Sequence, residues 1–396
     1  MAGEVDDVDD GRIFGDGLAV GPDLRGAAEV ATAEALAGFE GRAPDLLVVF
    51  VATGRGGDPD AAAAAAVRAM EMAGARAAIG TTAHGVIADG RGVEQEPSVS
   101  VFAAALPGVP LDTFRLGARR SSGGIEVTGT PPAAAAAAAE AAILLVDPFS
   151  FPVGGYLERS AELLPGLPLM GGLASVGAAP GGNRLVLDGE VLDGGAAGVL
   201  IGRGAGVRTV VSQGCRPIGP PMIVTAAEAN LLLELAGEQA YAKLGAIVQA
   251  LPPEERHQAA QALHLGVAMD EYADEHGRGD FLIRGVMGID PEAGAVAVGD
   301  VVEVGRTVRF QVRDAAGAGE DLAHLLDDLP QVRGALLFSC NGRGAGMFPD
   351  ADHDPRIVRT ELGEIPVAGF FAAGEIGPVG GRNHLHSFTA SVLAFE

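Results

Sequence analysis

A glycine-spaced hexapeptide occurs three times in this chain of 396 residues, and this repetition constrains the fold more than any other feature. The copies are Gly80–Gly85, Gly172–Gly177 and Gly369–Gly374. An apolar strand-type segment and a helix-type segment precede each copy, and another apolar segment follows it. Three matches in this order indicate duplicated β-α-β-β units. Glycines at fixed positions indicate positive φ, or the close approach of a strand or a ligand.

The alternation of strand-type and helix-type segments predicts a mixed α/β (α+β) fold of two related domains, with mixed sheets covered by helices. Asp89-Gly90 and Asp188-Gly189 are typical of two-residue hairpin turns. We expect an acidic, poorly ordered N-terminus over residues 1–24, a first domain over 25–216 and a second over 217–396.

Local patterns predict further elements in the second domain and a strained loop near its end. The segment 226–251 has the composition and spacing of a long amphipathic helix. Residues 296–312 alternate in character and predict a strand meander. Gly374 and Gly377 stand in a loop that is expected to need positive φ, so that alanine there would destabilise the fold.

Composition excludes several classes of function. The net charge is −25 and Lys243 is the only lysine, which argues against nucleic-acid or anionic-membrane surfaces because both need clustered positive charge. Two cysteines cannot form a disulfide framework, and the acidic N-terminus is the opposite of a signal peptide. No uncharged apolar run reaches the roughly 20 residues of a membrane span. We therefore expect a cytoplasmic protein without nucleic-acid or membrane partners.

Polar side chains concentrate on two loops near the C-terminus. Ser339–Gly344 follows an apolar strand, and the carboxyl end of such a strand is where α/β sheets bind ligands. Arginines there can hold a carboxylate with two hydrogen bonds, and Glu375 can hold an amine. The sequence predicts a pocket for a small carboxylate or amino acid, with glycine-rich turns capped by polar side chains as the alternative. The predicted binding residues are Cys340, Asn341, Arg343, Glu375, Arg382, Asn383 and His386.

Other chemistries remain open at the same loops. Cys340 beside Arg343, with help from His386, is a weak candidate for a nucleophile, against the alternative of a buried inert thiol. His384 and His386 favour a structural pair over a metal site. No metal and no cofactor is predicted, and the sequence lacks Gly-x-Ser-x-Gly and complete nucleotide-binding loops, which favours binding over catalysis.

The first glycine hexapeptide offers a possible second ligand site. Thr81, Thr82 and His84 are its polar residues. A hydrogen-bonded structural histidine is the competing interpretation of His84.

The segments Phe338–Gly344 and Pro366–Pro378 resemble the FIST sensory family, whose members carry paired N- and C-terminal FIST domains. Asn383, His386, Thr389 and Ala390 are also similar to the family pattern, and Ser212–Gly219 resembles the junction between the two domains. The resemblance runs from about Asp45 to Glu396. It implies an N-terminal-type FIST domain within residues 25–216 and a C-terminal-type domain within 217–396.

The resemblance also implies a function. Members of the family are thought to sense small ligands, usually suggested to be amino acids, within signalling proteins. We therefore expect a small-ligand sensor that passes its signal to a protein partner. The alternatives are an enzyme that uses Cys340 with His386, and a protein–protein adaptor without a small ligand.

Overall fold

The computed structural model describes residues 10–121, 124–273, 276–277 and 279–396. Its contacts divide the chain into two compact units. The first comprises Met1–Val211, Ala323–Leu385 and Ala390–Glu396, and the second comprises Ser212–Leu322 and His386–Thr389. Both contain strands and helices, so the predicted mixed α+β class is confirmed. Among the described helices, none is long and apolar enough to cross a bilayer.

The first unit begins with two copies of a similar element order, and the second copy has one additional strand after its first strand. The first copy is β1 (Ile13–Val20), α1 (Leu24–Ala35), β2 (Leu46–Thr53), α2 (Pro59–Ala73), β3 (Ala77–Ala83), β4 (Gly85–Ala88), β5 (Arg91–Glu94) and β6 (Pro97–Ala105). The second copy is β7 (Leu111–Ser121), β8 (Gly124–Thr128), α3 (Ala133–Ala138), β9 (Ala139–Val146), α4 (Val153–Leu163), β10 (Leu169–Leu173), β11 (Leu185–Leu187), β12 (Glu190–Leu192) and β13 (Ala196–Gly202).

A long excursion interrupts the third copy in chain order. After β14 (Val207–Gln213) come β15 (Cys215–Pro217), β16 (Met222–Glu228), β17 (Leu231–Leu235), β18 (Glu238–Gln239), α5 (Ala240–Ala250), α6 (Pro253–Gln261), β19 (Leu263–Ala268), β20 (Phe281–Asp290), β21 (Ala295–Val298) and β22 (Thr307–Arg313). The third copy then resumes with α7 (Ala315–Asp327), β23 (Gly334–Cys340), α8 (Gly344–Met347), α9 (His353–Leu362), β24 (Val367–Ala372), β25 (Glu375–Val379), β26 (Arg382–His386) and β27 (Thr389–Phe395).

The three copies share one pattern of strand pairing. The central strand of each copy pairs in parallel with the strand that carries the glycine signature: β2 with β3, β9 with β10, and β23 with β24. On its other edge it pairs antiparallel with the last strand of the copy, which is β6, β13 or β27. The predicted duplication is therefore present. All three copies lie in the first unit, where they build its three mixed sheets.

Each copy lends its hairpin to the sheet of another copy. The hairpin β4–β5 of the first copy pairs through β4 with β24 of the third. The hairpin β11–β12 of the second pairs through β11 with β3 of the first. Strand β25 of the third pairs with β10 of the second. The exchange is cyclic, so each signature strand gains an antiparallel neighbour from a different copy.

The period-two alternation of the central strands separates two layers of core. In β2, Leu46, Val48 and Phe50 face a core shared by all three copies, whereas Leu47, Val49 and Val51 pack beneath α1 and α2. In β9, Ile143 and Leu145 face the shared core, and Leu144 and Val146 pack against α4. Phenylalanines fill the centre of the shared core, where the Phe50 and Phe370 rings stack with centroids 4.9 Å apart. Helices thus cover the outer faces of the sheets.

The signature glycines permit close approach between parallel strands. A Cβ at Gly369 would lie 1.8 Å from the carbonyl oxygen of Leu337, its partner on β23. Gly80 and Gly171 hold the same position against Val49 and Leu144, at 2.6 and 2.0 Å. In the second copy the equivalent glycine is therefore Gly171, the residue before the hexapeptide. Any side chain here would push two central strands apart.

The expected positive φ at Gly374 and Gly377 is wrong, because neither residue has it. Space is the constraint instead. A Cβ at Gly377 would lie 2.5 Å from Cγ2 of Val211, and one at Gly374 would lie 3.0 Å from Cδ1 of Leu173.

The poorly ordered N-terminus expected over residues 1–24 is wrong from Ile13 onward. Residues 13–20 form β1 because their backbone groups pair along the whole segment with β6, and β1 also packs against α1. Residues 1–9 lie outside the described residues. The domain boundary at residue 216 stays a prediction; the chain leaves the first unit after Val211 and returns at Ala323.

The second unit is built on a closed ring of six antiparallel strands. The ring runs β22, β16, β17, β21, β20 and β19, and β19 pairs again with β22. The helix predicted over 226–251 is wrong in its first half. Residues up to 239 form strands with tight turns at Ala229 and Ala236-Gly237, where φ is positive. Pairing with β22 and β21 buries Val224, Leu232 and Leu235, which outweighs the helix propensity of the segment. Only α5 retains the predicted helix.

We predict that Gly369→Ala destabilises the chain by about 1–3 kcal/mol or more, because the added methyl overlaps a carbonyl that cannot move without shifting β23. Urea denaturation would measure the change in free energy of unfolding. Gly154→Ala in α4 is the matched control, since its Cβ would meet no atom within 4 Å. Equal stability of both variants would contradict the role assigned to the signature glycines.

Candidate functional site

Arg343, the centre of the predicted site, is held in a buried ion pair. It lies between the end of β23 and the start of α8, and it is fully buried. Its Nε donates to Oδ2 of Asp354 and its Nη2 donates to Oδ1, both at 2.8 Å. Its Cζ also lies 5.2 Å from the ring centroid of Phe348. The guanidinium is therefore matched by an internal carboxylate, which is the geometry it would offer to a carboxylate ligand.

Other groups complete the surroundings of Asp354. The hydroxyl of Ser339 donates to Oδ2 at 2.7 Å, and Nδ1 of His353 lies 3.0 Å from Oδ1. Burial alone would raise the pKa of Asp354, but the charge and hydrogen bonds of Arg343 hold it well below its usual range. Asp354 raises the pKa of Arg343 in turn, against the effect of burial. Arg343 was predicted to bind an anionic ligand, and the carboxylate that it binds in the structure is that of Asp354.

The remaining predicted residues near this pair have different surroundings. Cys340 is buried, and its Sγ accepts a hydrogen bond of 3.4 Å from the backbone N–H of Gly342. Asn341 is exposed, and its backbone N–H donates to the carbonyl of Ala372. Glu375 is fully buried at the start of β25, where its charge contributes to the raised pKa of Arg343. Cys340, Arg343 and Glu375 are thus close together inside the first unit.

Residues of β26 are used differently. The Oδ1 of Asn383 accepts from the backbone N–H of Leu169 at 2.9 Å, while its Nδ2 donates to the carbonyl of Leu167 and to the hydroxyl of Ser160. Asn383 therefore ties β26 to the α4–β10 connection. Arg382 is exposed. His386 is buried and belongs to the second unit.

The second predicted site lies where signature strands of the three copies meet. The backbone N–H of His84 donates to the hydroxyl of Ser175, which donates to the carbonyl of Phe371. The hydroxyl of Thr82 accepts from the N–H of Arg184 at 3.0 Å, and the Thr81 hydroxyl also contacts the Arg184 carbonyl. The His84 ring is about one-third exposed, with Nε2 3.9 Å from Oε1 of Glu94. These contacts give the threonines and the His84 backbone a joining role; ligand binding here stays a prediction.

A cavity that sequence reasoning missed lies in the second unit. It has a volume of about 620 Å³ and lies between α5, α6 and strands β19, β20 and β22. We call it the α5–α6 cavity. Most of its lining is apolar. The lining residues are Tyr241, Leu244, Gly245, Val248, Ala259, Ala260, Ala262, Leu263, His264, Gly285, Val286, Met287, Gly288, Ile289, Arg313 and Phe388.

Local sequence explains how the helix and the strand shape this cavity. Tyr241, Leu244, Gly245 and Val248 recur at helical spacing and present one face of α5. A Cβ added at Gly245 would meet no atom within 4 Å, so this glycine leaves space in the wall. Strand β20 shifts register between Val286 and Gly288, at a bulge that leaves Met287 72% exposed at the cavity rim.

Two polar side chains and one aromatic ring form the polar end of the cavity. Arg313 places its Cζ 4.5 Å from the ring centroid of Phe388. The His264 ring packs edge-on against the same Phe388 ring, with centroids 4.3 Å apart. The Nε atom of Arg313 is buried, and it has no hydrogen-bond partner within the part of the chain that the structure describes. The Nδ1 of His264 lies 2.9 Å from the carbonyl oxygen of Ala262.

At the polar end of the cavity, Arg313 is charged near pH 7 and His264 is neutral. Burial lowers the pKa of His264 to about 4, because it outweighs the hydrogen bond to Ala262 and is reinforced by the charge of Arg313. The imidazole is therefore neutral near pH 7, and the bond to the Ala262 carbonyl keeps its proton on Nδ1. Arg313 supplies the positive charge. The helical spacing of the lining residues of α5 could have indicated this face from the sequence. Arg313 lies in no sequence motif that would have indicated its role.

We predict that Asp354→Asn destabilises the chain by about 3–5 kcal/mol, because it leaves the Arg343 charge buried without its counter-charge. Urea denaturation would measure this loss, and Glu126→Gln, which breaks the exposed pair with Arg119, should cost less than about 1 kcal/mol. The double variant Arg343→Met/Asp354→Leu should recover most of the loss. A loss for Asp354→Asn as small as that for Glu126→Gln would contradict the buried pair.

We also predict a pH-dependent stability that depends on His264. Its pKa is lower in the folded state than in the unfolded chain, so its contribution is complete above about pH 6.5 and is lost as the pH falls towards 4. The loss should reach about 3 kcal/mol. His264→Asn removes the titration, and a comparison of urea denaturation at pH 7.5 and 4.5 would show a smaller pH effect than in the wild type. An identical pH effect in both proteins would contradict the assignment.

Comparison with known proteins agrees with the resemblance. The model of the FIST N domain matches residues 45–238, and that of the FIST C domain matches residues 239–378. An uncharacterised protein of Mycobacterium bovis is 42% identical over 387 residues, covering 96% of this chain and 98% of that protein. An uncharacterised protein of Mycobacterium tuberculosis is 43% identical over 387 residues, covering 96% of this chain and 99% of its own. With both domain models matched in order over most of its length, the chain belongs to the FIST family of sensory proteins.

Proposed function

We propose that this chain is a sensory protein that binds a small organic ligand in the α5–α6 cavity and passes the signal to a protein partner. FIST domains are sensory domains, which supports ligand binding in general. The observation that carries the proposal is the cavity itself. A volume of about 620 Å³ lies within the usual range of roughly 300–1,000 Å³ for small-molecule sites.

The chemistry of the lining supports the same conclusion. Small-molecule sites are mostly apolar, with a few polar groups that orient the ligand. The α5–α6 cavity has this composition, since Arg313, His264 and Tyr241 are set among aliphatic residues and glycines. The cluster around Arg343 differs, because its arginine is already matched by Asp354. The ligand site is therefore proposed in the second unit rather than around Arg343.

The cavity wall also suggests how binding is signalled. A ligand would contact α5 on one side and β19 and β20 on the other. These elements are joined by side-chain packing with several exposed apolar residues at the rim, such as Met287 and Ile289. A bound ligand would cover this rim and so change the surface that a protein partner contacts. The partner can then bind the ligand-bound and ligand-free states with different affinity, as a sensor requires. The enzyme and adaptor hypotheses, and the cytoplasmic location, stay predictions.

We predict that blocking the cavity abolishes ligand binding without unfolding the chain. A library of small organic molecules is screened by thermal shift against the wild type, Gly245→Ala and Gly245→Phe. Ligands should raise the Tm of the wild type and of Gly245→Ala, since binding to the folded state stabilises it. They should not raise the Tm of Gly245→Phe, whose ring fills the open space beside α5.

The two variants are matched, because both replace a helical glycine and both gain helix propensity of up to about 1 kcal/mol. A normal Tm for Gly245→Phe without ligand establishes that it is folded. If no molecule shifts the wild type, or if Gly245→Phe responds equally, the cavity is not the ligand site and the proposed function fails.

A further inference from the structure

We infer that the ligand of the α5–α6 cavity is an apolar organic monocarboxylate without an ammonium group, held through its carboxylate by Arg313. This inference rests on the proposed function and narrows it to a ligand class. It departs from the expectation of an amino acid, and the departure follows from the charges of the lining.

The described lining residues carry one permanent charge. Arg313 is cationic, and no aspartate, glutamate or lysine is among them. A carboxylate is therefore compensated in this cavity. The ammonium group of an amino acid would lose water without gaining a carboxylate, and it would stand in the field of Arg313. Burying an uncompensated charge costs far more than a hydrogen bond returns, so the lining selects against zwitterions.

The surroundings of Arg313 favour binding of a carboxylate. Arg313 lines the cavity, and its buried Nε has no hydrogen-bond partner among the described residues, so the hydrogen-bonding capacity of the guanidinium is not fully used by the protein. The Phe388 ring lies 4.5 Å from Cζ of Arg313 and packs against the guanidinium. A carboxylate in the cavity can pair with the charge of this guanidinium and accept hydrogen bonds from it. In a chain of net charge −25, this local charge offsets the long-range repulsion of an anion.

His264 adds selectivity at the same end. As a neutral imidazole with its proton directed to the Ala262 carbonyl, it offers Nε2 only as an acceptor. It therefore adds no second positive charge, and the end of the cavity holds one carboxylate rather than two. The Phe388 ring lies against both His264 and Arg313 and keeps this end apolar around the charged contact.

The rest of the cavity suits a hydrocarbon body. Leu244 and Val248 of α5 and Met287 and Ile289 of β20 all belong to the lining. Met287 and Ile289 are 72% and 51% exposed, so they present apolar surface that a chain or ring would cover. Methionine adapts its shape to different hydrocarbon groups. We therefore expect the cavity to accept hydrocarbon groups of different shapes but to require a carboxylate as the polar group of the ligand.

The test uses three molecules with one hydrocarbon chain: octanoate, octanamide and α-aminooctanoate, titrated calorimetrically into the full-length protein. Octanoate should bind roughly 10- to 100-fold more tightly than octanamide, as expected for a charge-assisted hydrogen bond. α-Aminooctanoate should bind more weakly than octanoate. Within the saturated monocarboxylates from butanoate to octanoate, each added methylene should tighten binding about fourfold.

Variants assign the head group to Arg313. Arg313→Gln should weaken octanoate roughly 10- to 100-fold and leave octanamide nearly unchanged. Arg309→Gln is the matched control, because Arg309 lies on the same strand, donates to the Gly219 carbonyl and is not in the lining. It should leave octanoate binding unchanged. Arg313→Lys keeps the charge and should retain part of the affinity, which separates loss of charge from loss of fold.

The outcomes separate this inference from the proposed function. If α-aminooctanoate or octanamide binds as tightly as octanoate, or if Arg313→Gln leaves octanoate unaffected, the ligand class is wrong while a cavity blocked by Gly245→Phe still supports the sensor. If no monocarboxylate binds but the library screen finds another ligand, the ligand class is again wrong. If the library gives no ligand that Gly245→Phe excludes, the proposed function itself fails.

Discussion

The exchange of hairpins among three copies of one motif is the constraint on which the first unit depends. Each parallel strand pair needs a further neighbour, and that neighbour comes from another copy. An exposed strand edge would otherwise remain open to pairing with other chains. Each copy both supplies a strand to another sheet and receives one, and the shared core contains residues of all three copies. The signature glycines act within each copy, where they let its two parallel strands approach closely.

This arrangement explains why the polar residues of the signatures serve the fold. Ser175 joins strands of the three copies through the His84 N–H and the Phe371 carbonyl, and Asn383 fastens β26 to its neighbours. Buried polar groups need partners, and at strand ends those partners are backbone groups of other strands. These hydrogen bonds hold strands of different copies together. The first unit therefore uses its polar residues to specify the assembly of its repeats.

Two arginines show how surroundings decide the role of a residue. Arg343 is fully buried, and Asp354 answers its charge with two hydrogen bonds. Arg313 is partly buried beside an aromatic ring and borders a cavity without acidic side chains among its described residues. The charge of Arg343 is neutralised by Asp354, and this pair contributes to the fold. The charge of Arg313 has no acidic counter-charge among the described lining residues. A small anion in the apolar cavity can supply the missing negative charge. This observation motivates both the proposed function and the proposed ligand class.

The sequence by itself determined the repeated motif, the apolar central strands and the Asp89-Gly90 and Asp188-Gly189 turns, because these depend on local periodicity and backbone preference. It also determined the family, through segments that read in order along the chain. Tertiary structure decided the rest. Strands replaced the first half of the helix predicted over 226–251 because these residues pair with strands that are distant in the sequence, and local helix propensity does not reveal such pairing. The partner of Arg343 depends on where α9 packs, and the α5–α6 cavity collects residues from Tyr241 to Phe388. Contacts between residues so far apart arise only from the folded chain, so no local pattern could have shown them.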